Sequence, residues 1–347
     1  MRSAGAGLVC EPVVGNDWAM SCLAGAPTAQ IRSYVVTGGA GFIGSHLCDR
    51  LLADGHRVLA IDDLSTGREA NLVRARTYGD RFTFAEMDIR DPGLRDLFDP
   101  NGPEVVMHLA ANSGVRPSVK DPRFDASVNI DGLLSVLDAC TSVGARKVVF
   151  AASGGTLYGE PDPDALPLSE TAISAGEPVS PYGITKKAAL GYLRFYATVR
   201  GLDFTALALG NVFGPRQDPL GEAGVVAIFA ERLLKGEAPI VFGDGRQTRD
   251  YVFVDDVVDA FVRASDRASG EVLNIGTGIE TSVMDILRGL AAAAGWTGEP
   301  GHGPLPDGEL RRICLDASAA ASHLGWRAST PLGDGLGLTV EHLKGAG

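Results

Sequence analysis

The chain lacks the features that would suit it to nucleic acid, a membrane or an oxidising compartment. Acidic residues outnumber basic ones, 43 against 31, for a formal net charge of −12 in 347 residues. An excess of that sign repels nucleic acid and anionic lipid. It leaves room for a phosphorylated small molecule, which needs only local positive groups and backbone donors. No apolar run reaches the roughly 20 residues of a membrane-spanning helix. The five cysteines (Cys10, Cys22, Cys48, Cys140, Cys314) are scattered, odd in number and without C-x-x-C or zinc-type spacing. They predict reduced thiols in a cytoplasmic protein, with no disulfide framework and no metal site. What remains is an ordinary globular composition, 45% hydrophobic and 21% charged, in a chain long enough for one large α/β unit or two lobes.

Residues 1–30 are rich in Gly, Ala and Pro, lack periodicity, and carry Glu11 and Asp17 where a signal peptide would be apolar. They are expected to form a disordered extension, with Met20 as an alternative start to Met1. From Ile31 strands and helices alternate. Strands are expected at Tyr34–Thr37, Arg57–Asp62, Phe82–Met87, Val105–Leu109, Lys147–Ala151 and Phe204–Leu209, with helices near 43–54, 91–98, 125–143 and 181–200. The strands are continuous apolar runs, as suits a parallel sheet covered on both faces. The expected fold is therefore α/β, a Rossmann-like doubly wound parallel sheet, with residues 31–210 as its dinucleotide-binding domain. Beyond residue 210 the regularity weakens. Short apolar pieces (Ile240–Phe242, Tyr251–Val254, Val272–Ile275) mix with helices near 222–235, 255–265, 282–294 and 316–323. Residues 211–347 are expected to form a smaller C-terminal substrate-binding lobe, interleaved with the first.

Two motifs carry chemistry. In Tyr34-Val-Val-Thr-Gly-Gly-Ala-Gly-Phe-Ile-Gly-Ser-His-Leu47 a strand feeds a turn with glycines at Gly38, Gly41 and Gly44, and a helix follows. Such a turn admits a pyrophosphate to the backbone N–H groups of a helix N-terminus. The acidic pair Asp62-Asp63 closes the next strand. A carboxylate there accepts hydrogen bonds from a ribose 2′-OH and repels a 2′-phosphate, which favours NAD over NADP. The second motif is Ser180-Pro-Tyr-Gly-Ile-Thr-Lys186, which sets Tyr182 and Lys186 one helical turn apart. An ammonium beside a phenol favours the phenolate, from a reference pKa of about 10 toward neutrality. Such a phenolate can take a proton from a sugar hydroxyl while hydride leaves the carbon. Upstream, Phe150-Ala-Ala-Ser-Gly-Gly-Thr-Leu-Tyr-Gly159 ends a strand in a hydroxyl-bearing turn. Either Ser153 or Thr156 is expected to bond the same substrate oxygen, the loser bonding to its own backbone.

In these residues the chain resembles the extended short-chain dehydrogenase/reductase family, and within it the UDP-glucose (UDP-galactose) 4-epimerases. The matching pieces are Thr37-Gly-Gly-Ala-Gly-Phe-Ile-Gly44, Asp62-Asp-Leu-Ser-Thr-Gly67, Asp88-Ile-Arg-Asp91, His108-Leu-Ala-Ala111, Ser118-Val-Lys-Asp-Pro122 and Tyr182-x-x-x-Lys186. The likeness continues through Asn211-Val-Phe-Gly-Pro-Arg216, Gly243-Asp-Gly-Arg-Gln-Thr-Arg-Asp-Tyr251 and Asn274-Ile-Gly-Thr-Gly278. It implies an NAD-dependent epimerase acting on a UDP-sugar without a metal. By the same resemblance Gly38, Gly41, Phe42 and Ile43 line the pyrophosphate, Asp62 and Asp63 serve the adenosine ribose, and Asp88 and Ile89 flank the adenine. Ala110, Ala111 and Asn129 lie along the cofactor, and Lys186 bonds the nicotinamide ribose. Tyr182 is the base, and Asn211, Val226 and Arg249 face the nucleotide diphosphate. An arginine fork suits phosphate oxygens. His108 is read as structural.

One departure concerns the substrate. The family places a diphosphate-binding arginine where this chain reads Leu305-Pro-Asp-Gly-Glu-Leu-Arg-Arg312, so either Arg311 or Arg312 is expected to substitute, or substrate affinity to be weakened. A 4,6-dehydratase would carry an Asp-Glu pair in the turn before Tyr158, and a UDP-glucuronate decarboxylase a glutamate; Gly154, Gly155 and Thr156 stand there instead. The turn supports removal and return of hydride at C4. Its two glycines are expected to widen the sugar pocket, which keeps UDP-glucuronate and UDP-N-acetylglucosamine beside UDP-glucose. A non-catalytic, cofactor-bound regulator is the reading from another class. The resemblance also implies a homodimer that pairs the helices near 125–143 and 181–200.

Overall fold

The computed structural model describes residues 31–98, 102–219, 224–304 and 310–346; the expectations for residues 1–30 and for the stretch 305–309 lie outside them. Described strands are β1 (Ser33–Thr37), β2 (Arg57–Asp62), β3 (Phe82–Glu86), β4 (Val105–His108), β5 (Lys147–Ser153), β6 (Asp203–Leu209), β7 (Asn211–Phe213), β8 (Ile240–Phe242), β9 (Thr248–Phe253), β10 (Glu271–Ile275), β11 (Glu280–Ser282) and β12 (Gly301–Gly303). The α-helices are α1 (Phe42–Ala53), α2 (Val73–Arg76), α3 (Leu94–Phe98), α4 (Val115–Lys120), α5 (Pro122–Ala126), α6 (Gly132–Val143), α7 (Pro181–Phe195), α8 (Val225–Leu234), α9 (Val254–Ala264), α10 (Val283–Ala294), α11 (Ser318–His323) and α12 (Leu332–Ala346).

Seven strands form one parallel sheet in the order β10-β6-β5-β4-β1-β2-β3. The strand order reverses between β1 and β4, where a crevice opens at the carboxyl ends of the strands. Side chains alternate between the two faces, and each face has its own core. Val36, Val58 and Ala60 join Leu47 and Leu51 of α1 and Phe261 of α9 on one side. Val35, Leu59 and Val106 join Leu133 and Leu137 of α6 and Leu190 of α7 on the other. This double burial is why the strands read as unbroken apolar runs.

The late run Val272–Ile275, expected in the second lobe, is the edge strand β10 of the central sheet, with Leu273 opposite Leu207 of β6. Helix α9 likewise packs on α1. The chain thus returns to the central sheet after β7, β8 and β9. The remaining C-terminal elements make a three-stranded sheet (β11-β9-β7), a two-stranded sheet (β12-β8) and the packed helices α8, α10 and α12. The helix expected over 125–143 starts at Pro122 and passes through a π-turn, Ser127–Asp131, before α6. A second π-turn, Tyr196–Arg200, ends α7. No described helix is long and apolar enough to cross a membrane. Cys48, Cys140 and Cys314 are buried free thiols.

Candidate active site

A cleft of about 870 Å³ runs along the carboxyl ends of the sheet, from Asp62 at one end to Tyr182 and Lys186 at the other. Its floor is the turn between β1 and α1. Gly38 sits at φ +70, and a Cβ there would lie 2.8 Å from the Ala110 nitrogen. A Cβ on Gly44 would fall 2.0 Å from the Gly38 carbonyl oxygen, so α1 meets the turn only because both positions are glycine. The Gly41 N-cap makes no side-chain cap, which leaves first-turn N–H groups for an anion. At the end of β2, Asp62 accepts the Ala40 N–H at 3.0 Å and the Leu64 N–H at 2.9 Å. The carboxylate keeps acceptor capacity for a ribose hydroxyl. Burial raises the Asp62 pKa, and the backbone donors oppose that shift. Asp63 also borders the cleft but is exposed, accepting from Ser65. Asp88 is clamped by the Arg90 guanidinium, which holds its pKa below the ordinary carboxylate value. Phe42, Ile43, Ile89, Ala110 and Ala111 complete this wall.

At the other end Ser180 caps α7, its Oγ accepting the Gly183 N–H at 3.2 Å, with Pro181 in the first turn. Tyr182 and Lys186 then face the cleft together with Ser153, which stands at the end of β5. The strand runs two residues beyond its expected end, and that extension delivers the serine. Burial pushes the Tyr182 phenol up to about 12, against a hydrogen bond with Ser153 that pulls it down. Burial likewise lowers Lys186 to about 8, with Asp125 opposing. The Lys186 Nζ donates to the Ala151 carbonyl at 2.8 Å and lies 5.6 Å from the Tyr182 ring centre. The expected lowering of the phenol by the lysine is not found here: desolvation dominates, and Ser153 is the group that opposes it. Thr156 does not line the cleft, and its buried hydroxyl has no partner. Gly154 is glycine for packing, since a Cβ would meet Leu315 Cδ1 at 2.5 Å, while a Cβ on Gly155 would meet nothing. Neither borders the cleft. His108 accepts or donates at 2.7 Å to Thr37 Oγ1 behind the sheet end, and burial lowers its pKa to about 3.

The NAD dependent epimerase/dehydratase family matches residues 34–276. Over 311 residues the chain is 50% identical to the UDP-glucose 4-epimerase of Mycolicibacterium smegmatis, covering 89% of this chain and 98% of that protein. The chain belongs to the NAD-dependent epimerase/dehydratase family. Its fold matches the crystal structure of the Thermotoga maritima UDP-glucose 4-epimerase with UDP-glucose, at TM-score 0.86 and 44% identity over 90% of this chain and 99% of that one. It also matches the Thermus thermophilus UDP-glucose 4-epimerase in complex with NAD, at TM-score 0.84 and 40% identity over 91% and 100% of the two chains. NAD is the family's cofactor, and the glycine cradle and the Asp62 carboxylate fit it.

Other residues expected in this epimerase-family site stand apart from the cleft. Asn129 does not line it; its Oδ1 accepts the Asn112 N–H at 2.9 Å and its Nδ2 reaches Asp125 and Thr185. Asn211 and Arg249 lie on the neighbouring strands β7 and β9, with the Arg249 guanidinium donating to the Thr248 carbonyl at 2.8 Å. Asp250 takes no part in an Arg249 pair, since it accepts from Thr277, Gly278 and Leu315. The Val226 side chain is 1% exposed in the core, which leaves only its backbone N–H in the first turn of α8 for a ligand. Arg312 is held by Glu280 at 2.8 and 3.0 Å, and that pairing lowers the Glu280 pKa. Sequence reasoning missed Asn112 and Arg216, both of which border the cleft. Asn112 follows Ala111 at the end of β4, a strand end that the doubly wound reading already marked as ligand-facing. Arg216, at φ +67, is bound to Asp49 at 2.6 Å, a partner that no spacing reveals.

Proposed function

We propose that this enzyme interconverts UDP-glucose and UDP-galactose by NAD-dependent epimerisation at C4. The observation that carries the reading is the meeting of Tyr182, Lys186 and Ser153 at one end of a cleft that has Asp62 at the other. NAD, held by the glycine turn and Asp62, would accept the hydride from C4 and return it. Tyr182 takes the proton from the C4 hydroxyl and later returns it. Ser153 bonds the same oxygen, and the Lys186 ammonium stabilises the phenolate. Between the two transfers the 4-keto sugar turns its other face to the same groups. The turn Gly154–Thr156 carries no carboxylate, so it offers no acid or base for elimination or decarboxylation. Asn211, Arg249 and the first turn of α8 hold the diphosphate, and Arg312 joins them only by leaving Glu280. The buried free thiols fit a cytoplasmic enzyme, and the apolar face of α7 fits a homodimer.

Separate incubations with UDP-glucose, UDP-glucuronate and UDP-N-acetylglucosamine, with products identified by NMR, test the reading. C4 epimers are expected, from UDP-glucose above all. Loss of CO₂ from UDP-glucuronate would point to a decarboxylase. Tyr182→Phe should lose about 10²–10⁴-fold in kcat while still retaining NAD. Wild type as inactive as Tyr182→Phe on every sugar would replace the enzyme by a cofactor-bound regulator.

A further inference from the structure

Behind the catalytic helix lies a buried carboxylate that the reaction does not touch. Asp125 is 0% exposed. Its Oδ1 accepts from the side-chain amides of Asn112 and Asn129, each at 3.1 Å, and its Oδ2 from the Thr185 hydroxyl at 2.9 Å. All three donors are neutral, and no cation among the described residues lies within ion-pair distance of it. Burying a carboxylate on neutral donors alone is costly, and an amide of the same shape would avoid that cost. The same region holds a second isolated charge of the opposite sign. Lys186 is 4% exposed, bonds only the Ala151 carbonyl and lies over the Phe150 ring at 4.7 Å.

Thr185 links the two. It is the residue before Lys186, and its hydroxyl lies 2.9 Å from Asp125 and 3.0 Å from the Tyr182 carbonyl oxygen. The π-turn Ser127–Asp131, which begins two residues after Asp125, sets Asn129 against Thr185, at 3.2 Å, and against the backbone of Asn112 on the cleft wall. Single π-turns inside helices are frequent at functional sites.

We propose that Asp125 is a positioning residue for the Tyr182–Lys186 pair: it anchors Thr185 and balances the Lys186 ammonium across the helix. The inference rests on the catalytic reading of that pair. The groups facing Lys186 are Asp125, Tyr182, the Phe150 ring and His108, which burial keeps neutral above about pH 3. Asp125 is thus the one negative charge opposing desolvation of the lysine, and it also holds the phenol proton more tightly. Without it both groups release their protons at lower pH.

The test is the pH profile of kcat on the NAD-loaded enzyme, read beside a tyrosinate difference titration with Tyr182→Phe as the blank. For Asp125→Asn both limbs should move about one unit to lower pH, and the tyrosinate titration should move with the acid limb. Asp125→Glu, which keeps the charge, should restore their positions. Thr185→Val keeps the charge and removes the hydroxyl that bonds Asp125 and Asn129, so its kcat should fall with both limbs in place. An Asp125→Asn profile of lower height and unchanged position overturns the proposal, as does a shifted profile in Thr185→Val. Should Asp125→Asn not fold, Asp125→Ser takes its place, and the Thr185→Val arm decides independently. Tyr182→Phe at wild-type rate would defeat the catalytic reading itself, whereas an unmoved Asp125→Asn profile defeats only this inference.

Discussion

Burial raises the Tyr182 phenol to about 12 and lowers the Lys186 ammonium to about 8, so two groups with nearly equal ordinary values are driven apart. A spacing of four residues states that they share a helix face; it carries nothing about how much water that face keeps. The pairing was legible in the sequence, and its desolvation was not. The choice between Ser153 and Thr156 had the same limit, because it depends on where β5 ends. His108 shows the consequence of burial for stability. In the fold it stays neutral down to about pH 3, whereas the unfolded chain protonates it near 6.5. Between these values the unfolded state binds more protons, so stability present above about pH 6.5 is lost as pH falls. The loss from this residue should be about 2 kcal/mol on going from pH 6.5 to 5. Urea unfolding of His108→Gln should give a flatter pH dependence over that window; a slope equal to the wild type's would remove His108 as its source.

At the scale of elements the parallel strands were legible because two-sided burial leaves continuous apolar runs. Their expected ends erred by up to two residues, as at β5. Three helices were not legible. Short α2 and α4 have only four and six residues to show a period. Helix α12 contains Gly333, Gly335 and Gly337, which lower helix propensity by about 1 kcal/mol each against alanine. The structure separates these glycines. A Cβ on Gly335 would lie 2.8 Å from Phe213 Cζ and 2.9 Å from Phe253 Cδ2, while one on Gly337 would meet nothing within 4 Å. Gly335→Ala should therefore destabilise by about 1–3 kcal/mol through overpacking, and Gly337→Ala should stabilise by about 0.5–1 kcal/mol. Thermal melts of the two variants decide it; shifts of the same sign would show that α12 does not sit against Phe213 as described. The position of β10 was hidden for a different reason. A buried run states that a strand is covered, and only the return of the chain states by which sheet.

Among the described residues an apolar face is left uncovered along α7. Ile184 (55% exposed), Tyr192 (38%), Phe195 (46%) and Val199 (62%) form a stripe at helical spacing along α7 and its π-turn, and Val119 and Phe124 extend it over α4 and α5. Scattered exposed hydrophobics need no explanation, but a continuous stripe of this kind marks an interaction surface. A second copy is the occupant that needs no further partner, since two such faces related by a two-fold axis cover each other and bury the same residues twice. The stripe was not legible in the sequence, because apolar residues of α7 lie on both sides of it: Leu190 and Leu193 face the core and Phe195 faces outward. Sedimentation velocity at micromolar concentration should give a dimer for the wild type. The double variant Phe195→Glu and Val199→Glu would bury four unpaired carboxylates at the axis, which is costly enough to dissociate it. Both positions lie more than two turns along the helix from Lys186, so the monomer should keep its NAD. A wild type that sediments as a monomer, or a double variant that remains a dimer, would mean that this face serves some other partner.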